Sequence, residues 1–180
     1  MHNTSSTRGS SLLRWGVVLL ASIMTIDVTA APSVTGGAAN ITCQIAVPAR
    51  LSHDQPAVVT LTLRNRSHKT LHLLRRNTPF EGWLADSFDV LRDGQAMPYV
   101  GAMAKRMPPS AAEYLTLKAG ASYRYRAPLQ RAYDVSRPGS YQVQWRGEIM
   151  DAYFGGARPN PDQMQATTIS CAGTSFVRQT

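Results

Sequence analysis

The sequence contains no CxxC, HExxH or GxSxG motif, and each absence excludes a class of chemistry. Without CxxC there is no sign of a metal-binding or catalytic cysteine pair, and without GxSxG there is no nucleophile elbow. No glutamate follows any of the four histidines, His2, His53, His68 and His72, so a zincin helix is excluded as well. We therefore predict a protein with no catalytic residue, no metal and no cofactor.

Two weaker patterns of metal-binding residue types have simpler interpretations. His68 and His72 are four residues apart, but the segment is predicted to be a turn and a strand. Residues four apart on a strand lie about 13 Å from each other, too far to share a metal. Asp86, Asp89 and Asp93 lack the dense carboxylate spacing of a calcium loop. We interpret them as turn and surface carboxylates.

Long apolar runs are also missing, apart from one near the start of the chain. Arg8 and Arg14 precede Trp15–Ile26, an apolar run of 12 residues, and Val28–Ala30 then supplies small residues. This arrangement is typical of a secretory signal and is too short for a membrane span. We predict a signal peptide over residues 1–30, a secreted or periplasmic location and no membrane span.

Cysteine is scarce, with only Cys43 and Cys171. An exported chain meets an oxidising compartment, so these two residues are expected to form a disulfide. The alternative is a metal or catalytic pair, which no neighbouring motif supports.

Acidic residues are few. Without the predicted signal, 17 basic and 10 acidic residues remain. Such a balance favours anionic envelope surfaces, polyanions or an acidic partner protein. A basic cluster contains Arg64, Arg66, Lys69, Arg75 and Arg76, with Lys105 and Arg106 added later in the chain. A solvated outer face explains it most simply, and an anion contact is the alternative. We expect no nucleic-acid binding, because no platform of aromatic and basic residues is evident.

Helical periodicity is absent after the signal, whereas short alternating segments recur between turns. Val58–Leu63 and Tyr141–Trp145 are the clearest of these strands. The pattern predicts an all-β fold, an immunoglobulin-like antiparallel β-sandwich of about seven to nine strands, with a small closed barrel as the alternative. We expect a flexible leader at 31–40, the sandwich at 41–173 and a tail at 174–180. Tyr141 follows a Pro-Gly turn, as in a tyrosine corner.

The loop at 77–86 carries large aromatic residues where a loop is normally polar. Phe80 and Trp83 either cover the core or contact a partner. Glu81, Lys105 and Arg106 complete the set of candidate binding residues, the last two in a connection at 101–111. Glu81 could also pair with Glu113 as in a glycosidase, but nothing nearby in the sequence would tune their pKa values.

Several segments resemble one known family when they are taken in order. They are NTPFEG (77–82), DSFDV (86–90) with RDG (92–94), PYVG (98–101), KR (105–106), and AYDVS (132–136) with PGSY (138–141). Together they are similar to the non-catalytic N-terminal β domain of the deuterolysin and peptidyl-Lys metallopeptidase family, the aspzincins. The resemblance covers roughly residues 42–150, and the family's zinc-binding HExxH helix has no counterpart here.

The resemblance implies an exported, non-catalytic module that binds another protein. The expected partner is a zinc peptidase, which the module could engage or inhibit, or a polypeptide substrate of such a peptidase. The alternative is a structural cell-envelope protein that docks on anionic surfaces through its basic charge.

Overall fold

The computed structural model describes residues 38–158 and 160–180. The predicted signal peptide and residues 31–37 of the predicted leader lie outside the described residues. The described end of the leader, Ala38–Asn40, forms a single 3-10 turn that leads into the first strand. No helix within the described ranges has the length and apolar character needed to cross a bilayer.

The described chain is almost entirely strand and loop. The strands are β1 (Ile41–Ala46), β2 (Arg50–Leu51), β3 (Val58–Asn65), β4 (Leu71–Leu74), β5 (Phe88–Arg92), β6 (Gln95–Ala96), β7 (Tyr114–Leu117), β8 (Ser122–Pro128), β9 (Gly139–Trp145), β10 (Glu148–Ile149), β11 (Ala152–Phe154), β12 (Thr167–Thr168) and β13 (Thr174–Arg178). Their number exceeds the predicted seven to nine because four of them are only two residues long.

The strands form several small sheets rather than one continuous one. The largest has the order β2-β13-β9-β5-β6, and two three-stranded sheets have the orders β1-β3-β8 and β11-β4-β7. A two-stranded sheet joins β10 to β12. All pairings in the three-stranded sheets are antiparallel, and each of these sheets has two edge strands. The sandwich prediction is confirmed, and the closed-barrel alternative does not describe these sheets.

The core is built from the alternating residues that the sequence pattern indicates. Val59, Leu61 and Leu63 of β3 are fully buried, while Thr60 and Thr62 between them are not. The buried residues of the larger sheets join in a single hydrophobic cluster. Each inward side chain of the Leu or Val type contributes roughly 1.5–3 kcal/mol when it leaves water, so this one cluster is the main source of stability.

Tyr141 forms the predicted tyrosine corner at the start of β9. Its ring is buried and stacks on Phe176, with ring centroids 4.7 Å apart. Its hydroxyl donates a 2.7 Å hydrogen bond to the carbonyl of Arg137, four residues upstream. A backward bond of this kind fixes the chain at the corner before the strand, as in immunoglobulin sandwiches. Trp145, at the end of the same strand, is also buried as predicted.

The prediction of a C-terminal tail at 174–180 is wrong. Thr174–Arg178 forms β13, which lies between β2 and β9 in the largest sheet. Phe176 is buried in the core, and Arg178, only 4% exposed, donates to the carbonyls of Ser52 and His53. Inward and outward residues alternate along this segment, as in a strand. Phe176 is its single large apolar inward residue, so the sequence gives only a weak signal for a strand.

Two neighbouring predictions also need correction. The Gly, Pro and Asn content of the segment at 150–163 predicts a loop, yet Ala152–Phe154 pairs with β4 and forms an edge strand. The segment at 167–171 is predicted from the sequence to be the last strand, but the strand there is only Thr167–Thr168. Pairing with a partner strand, rather than local alternation, decides which of these short segments is regular.

The predicted disulfide between Cys43 and Cys171 is confirmed, with the two Cα atoms 4.9 Å apart. Cys43 lies in β1, and Cys171 forms an isolated parallel bridge with it. The bond therefore joins the first strand to the segment before β13. It closes a loop between residues 128 positions apart.

Replacing Cys43 and Cys171 together with alanine is expected to lower the free energy of unfolding by about 4 kcal/mol. In the chain-entropy account, a crosslink that closes so long a loop restricts the unfolded chain strongly. Equilibrium urea unfolding of the wild type and the double variant measures this difference, and reduced wild type should behave like the variant. A double variant with an unchanged urea midpoint would show that the bond does not stabilise the sandwich.

Candidate functional site

The 77–86 loop begins with a capped turn. Thr78 accepts a 3.2 Å hydrogen bond from the Phe80 backbone amide and so caps the 3-10 turn Pro79–Glu81. Proline at the first position of such a turn costs no hydrogen bond, because the amide there has no partner within the turn. Gly82 ends the turn at a φ of +92°, which residues with a side chain rarely adopt. The short sequence TPFEG therefore fixes the direction in which the next residues leave.

Phe80 points inward, so its candidate role as a binding anchor is wrong. It is only 3% exposed. Its ring meets Trp145 and Tyr123 edge to face, each at a centroid distance of 5.7 Å. Edge-to-face packing adds to the stabilisation from burial. Of the two interpretations offered for this residue, the core interpretation is the one that the structure shows.

Trp83 lies partly over the core. It is half-buried and packs against Phe88 and Tyr133, at centroid distances of 5.6 and 5.9 Å. Its indole Nε1 has no hydrogen-bond partner among the described residues. Leu84 follows and is 37% exposed. The loop thus passes from core to surface within five residues, from Phe80 to Leu84.

Glu81 and Arg106, both candidate binding residues, bind each other. An Arg106 Nη2 nitrogen lies 2.6 Å from Glu81 Oε2, and the second nitrogen bonds Oε1. Arg106 also donates to the Leu84 carbonyl, and the Ala104 amide donates to the same oxygen at 3.1 Å. These contacts hold the 77–86 loop against the 101–109 loop. Both charged residues therefore stabilise the arrangement of the two loops.

A second arginine anchors the 101–109 loop from below. Arg76 is buried and binds Glu113 through two bonds, Nε to Oε1 at 2.7 Å and Nη2 to Oε2 at 2.8 Å. It also donates to the carbonyls of Met107 and Pro108. Bonds from Arg76 and from the Ser110 backbone lower the pKa of Glu113 to about 2. The expectation that nothing tunes this carboxylate is therefore wrong, because the sequence did not show that Arg76 lies beside it.

The predicted basic cluster divides into two groups. Arg76 and Arg106 form ion pairs, and Arg75 donates to the carbonyls of Ala112 and Glu113. Their positive charges are used inside the structure. Arg64 and Arg66 are exposed and lie at the end of β3, on another sheet. The cluster that is continuous in sequence is therefore not one surface.

The exposed apolar residues of this region were missed by the sequence analysis. Met103 is 73% exposed and Met107 is 79% exposed, and both lie in the 101–109 loop beside exposed Lys105. The carbonyl of Leu84, in the 77–86 loop, accepts bonds from Ala104 and Arg106, so the two loops run side by side here. One signal in the sequence could have indicated the exposure of the two methionines. Both methionines lie in a connection that contains Pro108 and Pro109, and such a connection is not expected to form part of the core. We call Leu84, Met103, Lys105 and Met107 the double-loop surface.

A small cleft of about 180 Å³ adjoins the double-loop surface. Its lining includes Met103, Asp86, Ser87 and Arg146. Ser87 is buried, and its hydroxyl has no hydrogen-bond partner among the described residues. A buried polar group without a partner is costly, so a group from a bound molecule could satisfy it.

The carboxylates of this region have structural partners. Arg146 binds Asp89 at 3.0 Å and Asp86 at 3.3 Å, and Asp93 accepts the Ser140 amide. Tyr133 donates to Asp86 at 2.6 Å, and burial together with this carboxylate raises the pKa of Tyr133.

The candidate metal residues are also spread out. His72 bonds the Gly155 carbonyl and stacks on Tyr153, whereas His68 is exposed. Within the part of the chain that the structure describes, no three histidine, cysteine or acidic side chains form a metal-binding group.

The comparisons with known proteins point to proteases. No family model matches the chain. Over 116 residues the chain is 35% identical to an extracellular protease of Aeromonas hydrophila, and this segment is 62% of the chain and 33% of that protein. The chain therefore spans about a third of the length of the curated relative it matches. The protein is protease-related. The word "extracellular" in the relative's name and the disulfide of this chain are both compatible with secretion.

Substitutions at Phe80 and Leu84 should separate the core part of the loop from its surface part. Phe80→Ala is expected to lower the free energy of unfolding by about 3 kcal/mol or more, because it leaves a cavity among aromatic rings. Leu84→Ala should change it by less than about 0.5 kcal/mol. Urea unfolding of both variants tests the assignment, and equal losses would contradict it.

The Arg76–Glu113 pair should make stability depend on pH in acid. Because folding lowers the pKa of Glu113 from 4.5 to about 2, the pair stabilises the fold fully above about pH 4.5. This contribution is lost as the pH falls from 4.5 to 2. The difference in unfolding free energy between wild type and Glu113→Gln should therefore shrink across that window.

Urea unfolding at a series of pH values measures this difference. The same substitution in an Arg76→Gln background is the control, and there the difference should no longer vary in this way. A wild-type difference that stays constant from pH 5 to pH 2 would rule out the pair as the cause.

Proposed function

We propose that the protein is an exported, non-catalytic binding module that engages a peptidase through the double-loop surface. The observation that carries the proposal is a set of exposed apolar side chains on two loops that partly buried ion pairs fix in place. The module would engage or inhibit a zinc peptidase, or bind the polypeptide that such a peptidase cleaves.

The loops are organised before any partner arrives. Arg106 ties the 77–86 loop to the 101–109 loop, and Arg76 ties the latter to Glu113. A surface that is already ordered loses little conformational entropy on binding, so more of its contact energy appears as affinity. This arrangement supports a binding role more than a flexible connection would.

The chemistry of the surface suits a protein partner. Met103, Met107 and Leu84 offer flexible and apolar contacts, and thioether side chains adapt to irregular partner surfaces. Lys105 adds a charge at the rim, where charges guide association. The adjacent cleft, which Asp86 and Arg146 also line, could accept one polar side chain of the partner.

The non-catalytic part of the proposal rests on how the titratable groups are used. Glu81 and Glu113 are both engaged by arginines, and Asp86 accepts bonds from Tyr133 and Arg146. A general acid or base must reach a substrate with its proton, and these groups are committed to internal contacts. The likeness to part of an extracellular protease supports a peptidase as partner.

Binding should depend on the two exposed methionines. The protein is immobilised and incubated with the extracellular fraction of its source organism, and bound material is assayed for casein hydrolysis with and without a zinc chelator. A recovered peptidase is then purified and its Kd measured. Met103→Ser/Met107→Ser is expected to weaken binding about tenfold or more, since anchor residues carry most interface energy.

Met164→Ser is the matched control, because Met164 is an exposed methionine outside both loops. It should bind within roughly twofold of wild type, and high salt should leave the wild-type complex largely intact. Equal binding by the methionine double variant, or recovery of neither a chelator-sensitive peptidase nor a polypeptide that such a peptidase cleaves, would refute the proposal.

A further inference from the structure

One face of the β1-β3-β8 sheet carries arginines and no acidic residue. The buried residues of β3 point into the core, so Thr60, Thr62 and Arg64 lie on the opposite, outer face. The register places Arg124 opposite Thr62 and Arg126 opposite Thr60 on the same face. β1 pairs with the other edge of β3, and there Gln44 lies opposite Thr62 and Ala46 lies opposite Thr60. None of the residues in β1, β3 and β8 is an aspartate or a glutamate.

The three arginines of this face are evenly spaced. Arg124 and Arg126 are two residues apart on one strand, which separates their Cα atoms by about 7 Å. Arg64 lies opposite Ser122 and is therefore a diagonal neighbour of Arg124, at about 7–8 Å. All three are exposed, and none forms a side-chain hydrogen bond or ion pair with a residue that the structure describes. Internal contacts therefore leave all three guanidinium groups available.

The residue types on this outer face indicate which class of anionic partner it suits. Tyr123 and Tyr125 of β8 contact Phe80 on the inner side, so the face offers no aromatic ring on which a base could stack. It also lacks the large apolar anchors that protein interfaces place at their centre. What remains is a sheet surface bearing guanidinium groups, which bind phosphate with two parallel hydrogen bonds.

We propose that this outer face docks on a membrane surface rich in anionic phospholipid, through the phosphate groups of the lipids. Arg64, Arg124 and Arg126 make the contacts, and the threonines between them allow a close approach. This site is separate from the double-loop surface, so it does not depend on the proposed function. The two together would hold a partner-binding module at an envelope surface.

Sedimentation with lipid vesicles tests the proposal. The probes are vesicles of phosphatidylglycerol and phosphatidylcholine, and vesicles of phosphatidylcholine alone, at low and high salt. Wild type should bind only the anionic vesicles and be released by salt. Because each basic residue near such a surface strengthens binding roughly fivefold, Arg124→Gln/Arg126→Gln should bind about 25-fold more weakly.

The matched control is Arg50→Gln/Arg137→Gln, which removes the same net charge from exposed positions outside this sheet. It should bind the anionic vesicles within roughly threefold of wild type, and both variants should retain the wild-type melting temperature. Equal losses in the two variants would show that only net charge matters and would overturn the proposal. Wild type that prefers soluble heparin or single-stranded DNA over the vesicles in competition would overturn it as well.

Discussion

The buried pair of Arg76 and Glu113 is the contact on which the candidate surface depends. A guanidinium removed from water must find partners for its donors, and Arg76 finds them in one carboxylate and two carbonyls of a distant segment. The end of β4, the 101–109 loop and the start of β7 are therefore fixed relative to one another. Removing Glu113 would leave the buried charge of Arg76 without its carboxylate, so the pair also constrains the geometry of these segments.

The molecule presents two kinds of surface, and they are built by opposite means. The double-loop surface is supported from within by the ion pairs of Arg76 and Arg106, and it leaves three apolar side chains and Lys105 outside. The outer face of the β1-β3-β8 sheet does the reverse, with apolar residues buried and arginines exposed. Arginines that are neighbours in sequence therefore serve different parts of the molecule. Arg76 supports the double-loop surface from within, whereas Arg64 lies on the outer face of the sheet.

Strands with alternating apolar and polar residues were predictable from the sequence. Strands that depend on hydrogen bonds to distant partner strands were not. The faces of β3 and β9, the tyrosine corner at Tyr141 and the disulfide followed from residue types and spacing. β13 did not, because a short polar segment becomes a strand only when β2 and β9 supply its hydrogen bonds. In the site, Glu81 and Arg106 were predicted as binding residues, but their contact with each other was not, since it joins residues 25 positions apart. The exposure of Met103 and Met107 leaves no trace in the hydrophobic periodicity, and the sequence hints at it only through their place in a Pro-containing connection.

The position of β13 bears on how the chain is made. This strand follows all the other described strands in sequence, yet it lies in the interior of the largest sheet, between β2 and β9. Until Thr174–Arg178 has been synthesised and released, β2 and β9 each lack a neighbour and expose unpaired backbone edges. Completion of this sheet must therefore wait until β13 itself has been synthesised, and a growing chain would need protection from aggregation up to that moment.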